Sequence, residues 1–151
     1  MSRSLRAWLQ CRVADQSSHA YACEGSRIQI ARFLTFRPEE NPFADMDVWV
    51  QVCDKAHYMP ARFTRQSIAK FHSVTPHLRF TQLRGAYVSI DLCSIELDTV
   101  ETQVAGSPWT PESPKTYILV VHAFRVLGGI AEPLHSGMIQ DVMTGIYGRK
   151  S

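Results

Sequence analysis

The chain has 151 residues, 45% of them apolar and 20% charged, with a net charge of +2. That length buries a full core in a single domain over 1–151, that balance is not the composition of a disordered or a membrane chain, and no apolar run reaches the ~18 residues of a membrane-spanning helix. The small net charge argues against a strong, sequence-independent grip on nucleic acid, though not against a local basic patch.

Ser4 to Val13 reads as a short amphipathic helix with Leu5, Trp8 and Leu9 on one face and Arg6 and Arg12 away from it. The same two arginines interrupt what would be the apolar stretch of a secretory signal. Asp15 to Ser26 is polar and reads as a loop. Arg27 to Arg37 alternates as a first strand, with Ile28, Ile30 and Arg32 facing one way and Gln29, Ala31 and Phe33 the other. Pro38 to Asp45 connects it to the next strand.

Val48, Val50 and Val52 alternate with Trp49, Gln51 and Cys53, the period of a half-buried strand. Asp54-Lys55-Ala56-His57 turns the chain into a strand from Tyr58 to Phe63, where Pro60 favours an edge or a bulge. Thr64 caps a helix whose apolar residues include Ile68 and Phe71. After a link over Ser73 to Leu83, Gly85 to Leu97 forms a fourth strand with a register shift near Cys93 and Ser94. Thr99 to Pro114 is a long polar loop rich in proline. Lys115 to Leu127 is the most apolar segment and reads as a central fifth strand. Glu132 to Tyr147, with Leu134, Met138, Val142 and Ile146 about four apart, reads as a C-terminal helix. Two paired strands, a helix and then two more strands match a mainly-β, five-stranded oligonucleotide/oligosaccharide-binding (OB) barrel flanked by N-terminal, middle and C-terminal helices.

Signals of catalysis are poor. GxGxxG, P-loop, GxSxG and HExxH patterns are all missing, and the six histidines fall at unrelated positions, which gives no metal-ligand spacing. The reading is a non-enzymatic protein with no cofactor and no metal. His122, inside an apolar strand, reads as a hydrogen-bonded histidine of the core or of a face. Asp91, Glu96, Asp98 and Glu101 suggest a solvated strand edge before a hydrolytic or Mg²⁺ site. Cys11, Cys23, Cys53 and Cys93 are widely spaced and read as reduced thiols of an intracellular protein. Ser107-Pro108, Thr110-Pro111 and Ser113-Pro114 match proline-directed phosphorylation sites. A barrel of this kind binds single strands through aromatic platforms beside basic groups, and Trp49, Tyr58, Arg62 and Tyr87 are the candidates for that alternative function. Trp109, between prolines, packs back on the barrel or docks a partner. Trp8, at the edge of its helix face, suits either core packing or a partner surface.

The segments Leu-Arg-Ala-Trp-Leu, RIQIARFLTF, VWVQVCDKAHYMPARFTRQSIAKF, RGAYVSIDLCSIEL and TYILVVHAFRVLGG, running from Leu5 to about Gly129, stand in an order that resembles one family. It is the small OB-fold accessory subunit of fungal telomerase, the third of the "ever shorter telomeres" proteins, itself similar to the OB domain of the shelterin protein named for adrenocortical dysplasia. The resemblance implies a non-catalytic nuclear protein at chromosome ends that docks on the telomerase reverse transcriptase and its other subunits. It implies partner contacts through Trp8, and through His72 and Arg84 near the fourth strand. It also implies a structural ion pair between Asp54 in the strand 2–3 turn and Arg79 after the helix.

Overall fold

The computed structural model describes residues 5, 8, 9, 13, 21–35, 46–104, 106–110, 112–129 and 140–141. Six strands are seen: β1 (Tyr21–Phe33), β2 (Val48–Cys53), β3 (His57–Phe63), β4 (Tyr87–Asp98), β5 (Thr116–Gly128) and β6 (Gln140–Asp141). One helix, α1 (Arg65–Val74), and a 3-10 turn over Phe80–Gln82 lie between β3 and β4. The sheet runs β2-β1-β4-β5-β3, and β2 pairs back onto β3, which closes the first five strands into a barrel. All these pairings are antiparallel except β3 with β5. This is the OB-fold expected from the order of the segments.

The core fills because the alternating apolar residues all turn inward. Ile28, Ile30, Val48, Val50, Val52, Met59, Ala61, Phe63, Val88, Ile90, Leu119 and Val121 are buried in one cluster. α1 forms where Thr64 takes an extended conformation and its hydroxyl accepts the Ser67 N–H, satisfying one of the free donors of the first turn. The helix then presents Ile68 and Phe71 to the barrel, where Phe71, Phe80, Phe63 and Phe124 meet ring to ring at 4.8–6.4 Å.

Bulges change the faces that simple alternation gives. In β1 the register with β2 shifts between Ile30 and Arg32. Phe33 therefore joins Ile28 and Ile30 in the core, while Arg32 reaches outward to the Gly106 carbonyl at 3.0 Å. In β4 one shift against β5 falls at Tyr87/Val88 and two at Ile90/Leu92 and Leu92/Cys93, just before the expected position. Val88 and Ile90 face inward before them, and Cys93 and Ile95 after them.

Three expectations are corrected here. The polar stretch before Ser26 is not a loop throughout, because β1 begins at Tyr21, opposite Cys93 of β4; pairing with that strand outweighs the polar local sequence. The helix expected over Glu132–Tyr147 is not continuous. Gln140 and Asp141 instead pair in parallel with His57 and Tyr58, and the rest of that segment lies outside the described residues. Cys93 is disulfide-bonded, so it is not a reduced thiol, whereas Cys53 is free. Pro60 sits where β3 changes its outer partner, between the β6 pairing at His57–Tyr58 and the β5 pairing at Ala61–Phe63, so its missing N–H breaks no ladder there.

Candidate functional site

The turn between β2 and β3 organises the N-terminal segment. Asp54 is fully buried. Its Oδ1 accepts the N–H groups of Ala56 and His57, both at 2.8 Å, which folds the turn onto its own first side chain. Its Oδ2 accepts the N–H groups of Trp8 at 2.7 Å and Leu9 at 2.9 Å. Leu9 and Val13 are helical, so the carboxylate supplies from another part of the chain the acceptor that a helix start lacks, at the end where negative charge is favoured.

Four amide donors thus balance Asp54, and the expected ion pair with Arg79 is not formed. Arg79 is exposed, and its backbone N–H donates to Gln82 Oε1 at the start of the 3-10 turn. The physical reason is saturation: both carboxylate oxygens already hold two short, charge-assisted bonds.

Trp8 is thereby fixed at its backbone and also at its ring. The indole Nε1–H donates to the Arg27 carbonyl at 2.8 Å, and the half-buried side chain packs against the core above Leu9 and Val13, which are fully buried. Trp8 as a whole is only partly buried. A rigid, half-exposed tryptophan with its polar atom already satisfied carries little entropic cost into an interface.

Arg84 is exposed and precedes Gly85, whose N–H donates to the Ile30 carbonyl. Ile30 is three residues along β1 from Arg27, roughly 10 Å at strand rise. His72 behaves differently. Its Nε2 accepts the Phe80 N–H at 3.0 Å and ties α1 to the 3-10 turn, so its polar edge is spent inside the fold.

The residues expected to form a nucleic-acid platform do not form one. Trp49 is 3% exposed and sits in a second apolar cluster with Leu34, Val100, Trp109, Ile118 and Val120 on the outside of the β2–β3–β5 wall. The connection after β4 supplies Val100 and Trp109, covering the wall as a strap. Trp109 is 5% exposed and meets the half-buried Tyr58 edge to face at 5.8 Å. Gln103 N–H donating to the Leu34 carbonyl and Arg32 bonding to Gly106 hold the strap to β1.

Arg62 stacks over Trp49 at 5.7 Å and is ringed by Asp47 at 3.4 Å, Glu96 at 3.3 Å and Asp98 at 3.6 Å. A guanidinium shared by three carboxylates has nothing to offer a phosphate. Tyr87 is separated from β2 by β1 and shares no platform with Trp49. This wall is the one on which OB-folds usually receive single strands, and here the chain's own residues fill it. Of the two roles open to Trp109 between its prolines, the structure shows the packing one, and Val100 joins it in covering the wall.

The acidic residues of β4 divide between two partners. Asp91 holds Arg125 at 3.0 Å and 3.2 Å, while Glu96 and Asp98 belong to Arg62. His122 Nε2 bonds with Ser94 Oγ at 3.1 Å, the face histidine expected. Among the described residues no three His, Cys, Asp or Glu side chains gather to hold a metal. Burial, and secondly the neighbouring Asp54 carboxylate, push the Cys53 thiol up to about 11.

No protein-family description matches the chain, and no curated protein matches it in sequence. Among solved structures it is similar to the Est3 telomerase subunit in the yeast Hansenula polymorpha, with a TM-score of 0.59 and 15% identity over 91% of this chain and 79% of that one. At that identity the likeness is one of fold.

Proposed function

We propose that this chain is a non-catalytic accessory subunit of telomerase, acting in the nucleus at chromosome ends by docking on the reverse transcriptase and its associated subunits. Trp8 is the centre of the contact and Arg84 lies toward its rim. Asp54 positions the surface and does not touch the partner.

The observation that carries the reading is the Asp54–Trp8 clamp on an OB barrel whose fold resembles a telomerase subunit. A buried carboxylate holds the entry of the N-terminal helix and with it one half-buried aromatic ring. The covered β2–β3–β5 wall favours a protein partner over a single strand. The test is purification of the tagged full chain from its own cells. Telomerase activity co-purifies on this reading, and loss of the chain shortens telomeres over successive generations. A chain that brings down no telomerase activity, and whose loss leaves telomere length unchanged, contradicts it.

A further inference from the structure

A second surface lies far from Trp8. The Asp54 turn precedes β3 and Thr64 follows it, so seven residues of strand, roughly 23 Å, separate the clamp from α1.

Beside α1, β5 loses a neighbour. It pairs with β3 at Leu119, Val120 and Val121, and the chain then leaves the sheet at Thr64 to begin the helix. From Ala123 to Gly128, β5 is paired with β4 along one edge, and among the described residues no strand pairs with its other edge beyond Val121. Strands alternate the direction of their backbone groups, so among the described residues this edge presents N–H and C=O groups with no strand opposite them.

α1 stands off from that edge and leaves a groove of about 610 Å³. Its floor is apolar: Phe71 and Phe124 stack at 5.8 Å, with Val126 beside them. Val74 at the lip is 73% exposed, the most exposed large apolar residue described. Asp91 and Arg125 neutralise each other on one rim. Lys70 on the other is exposed and has no ion-pair partner among the described residues.

We infer that this groove is a docking site for an extended peptide segment of another protein, which adds as a strand to the free edge of β5 beneath α1. The edge supplies main-chain hydrogen bonds. The floor takes apolar side chains at alternate positions, and Lys70 takes a carboxylate. His122 to Val126, five residues, span about 17 Å, enough for two or three inward side chains of a partner strand. The inference stands independently of the telomerase reading, because it uses none of the residues around Trp8.

The experiment is selection of phage-displayed random nonapeptides on the immobilised full chain, with the enriched peptides synthesised and titrated against it. Enriched sequences are expected to alternate apolar residues and to carry Asp or Glu. Lys70→Glu and Val74→Glu, both at exposed positions that the fold does not need, each weaken binding about tenfold. Amide exchange slows within His122–Gly128 on binding. The inference is overturned if no peptide is enriched, if binding ignores both substitutions, if protection appears elsewhere, or if the peptide binds as a helix. Concentration-dependent self-association that protects the same amides also overturns it, because the occupant is then a second copy of this chain.

Discussion

Asp54 and Trp8 are joined by a 2.7 Å hydrogen bond from the tryptophan's backbone N–H to the carboxylate, across 46 residues of sequence. The bond couples the β2–β3 turn to the N-terminal helix. It makes the orientation of one half-buried ring depend on one buried acid.

Asp54→Ala leaves four N–H groups without their acceptor, one of them buried and three part-buried. An orphaned buried donor costs about 1–3 kcal/mol, and partial rehydration limits the sum to about 3–5 kcal/mol. Urea unfolding measures this. Arg79→Ala, at an exposed side chain, shifts stability by less than about 0.5 kcal/mol. Equal losses for the two variants would restore the ion pair.

Single-stranded telomeric oligonucleotides are expected to leave the intact chain's tryptophan fluorescence unchanged even at low salt, because Trp49 and Trp109 are buried against one another's cluster. Trp109→Ala removes the strap's anchor and lowers stability by about 3–5 kcal/mol. Tight, salt-dependent binding by the wild-type chain would contradict the covered wall.

The barrel was legible in the sequence because its signals are local. Alternation over 48–53, the Asp54 turn and the Thr64 cap each involve neighbours along the chain. The second cluster was not legible. Trp49, Tyr58 and Arg62 look like a binding platform until Trp109, 60 residues after Trp49, packs into one cluster with Trp49 and Tyr58 and three carboxylates close on Arg62. The Asp54 contact was read with the wrong partner for a related reason: a carboxylate suggests a basic side chain, and backbone N–H groups leave no trace in a sequence. The faces of Phe33 and Arg32 were exchanged because one bulge shifts the phase of every residue after it.

Cys53 gives stability a signature at high pH. An unfolded thiol ionises near 9.0, while the native one is held up to about 11. The buried neutral thiol therefore contributes fully below pH 9, and that contribution is lost as pH rises through 11. Cys53→Ala removes this decline from the stability profile. In the folded wild-type chain Cys53 resists iodoacetamide at pH 8 and reacts on unfolding; ready alkylation of the native chain at pH 8 would mean that the thiol is exposed.

Thr64→Ala removes the hydroxyl that accepts the Ser67 N–H. The expected loss is about 1 kcal/mol by urea unfolding, with α1 still formed because Ile68 and Phe71 hold it to the core. No loss would show that packing alone sets the helix start.

The most direct measurement pairs thermal unfolding with telomerase co-precipitation for Trp8→Ala, beside Leu9→Ala as the buried control. Trp8→Ala is expected to shift Tm by no more than about 5 °C while abolishing co-precipitation, and Leu9→Ala to unfold far more readily. A Trp8→Ala protein that keeps its telomerase, or that loses stability as severely as Leu9→Ala, would contradict a docking role for that ring.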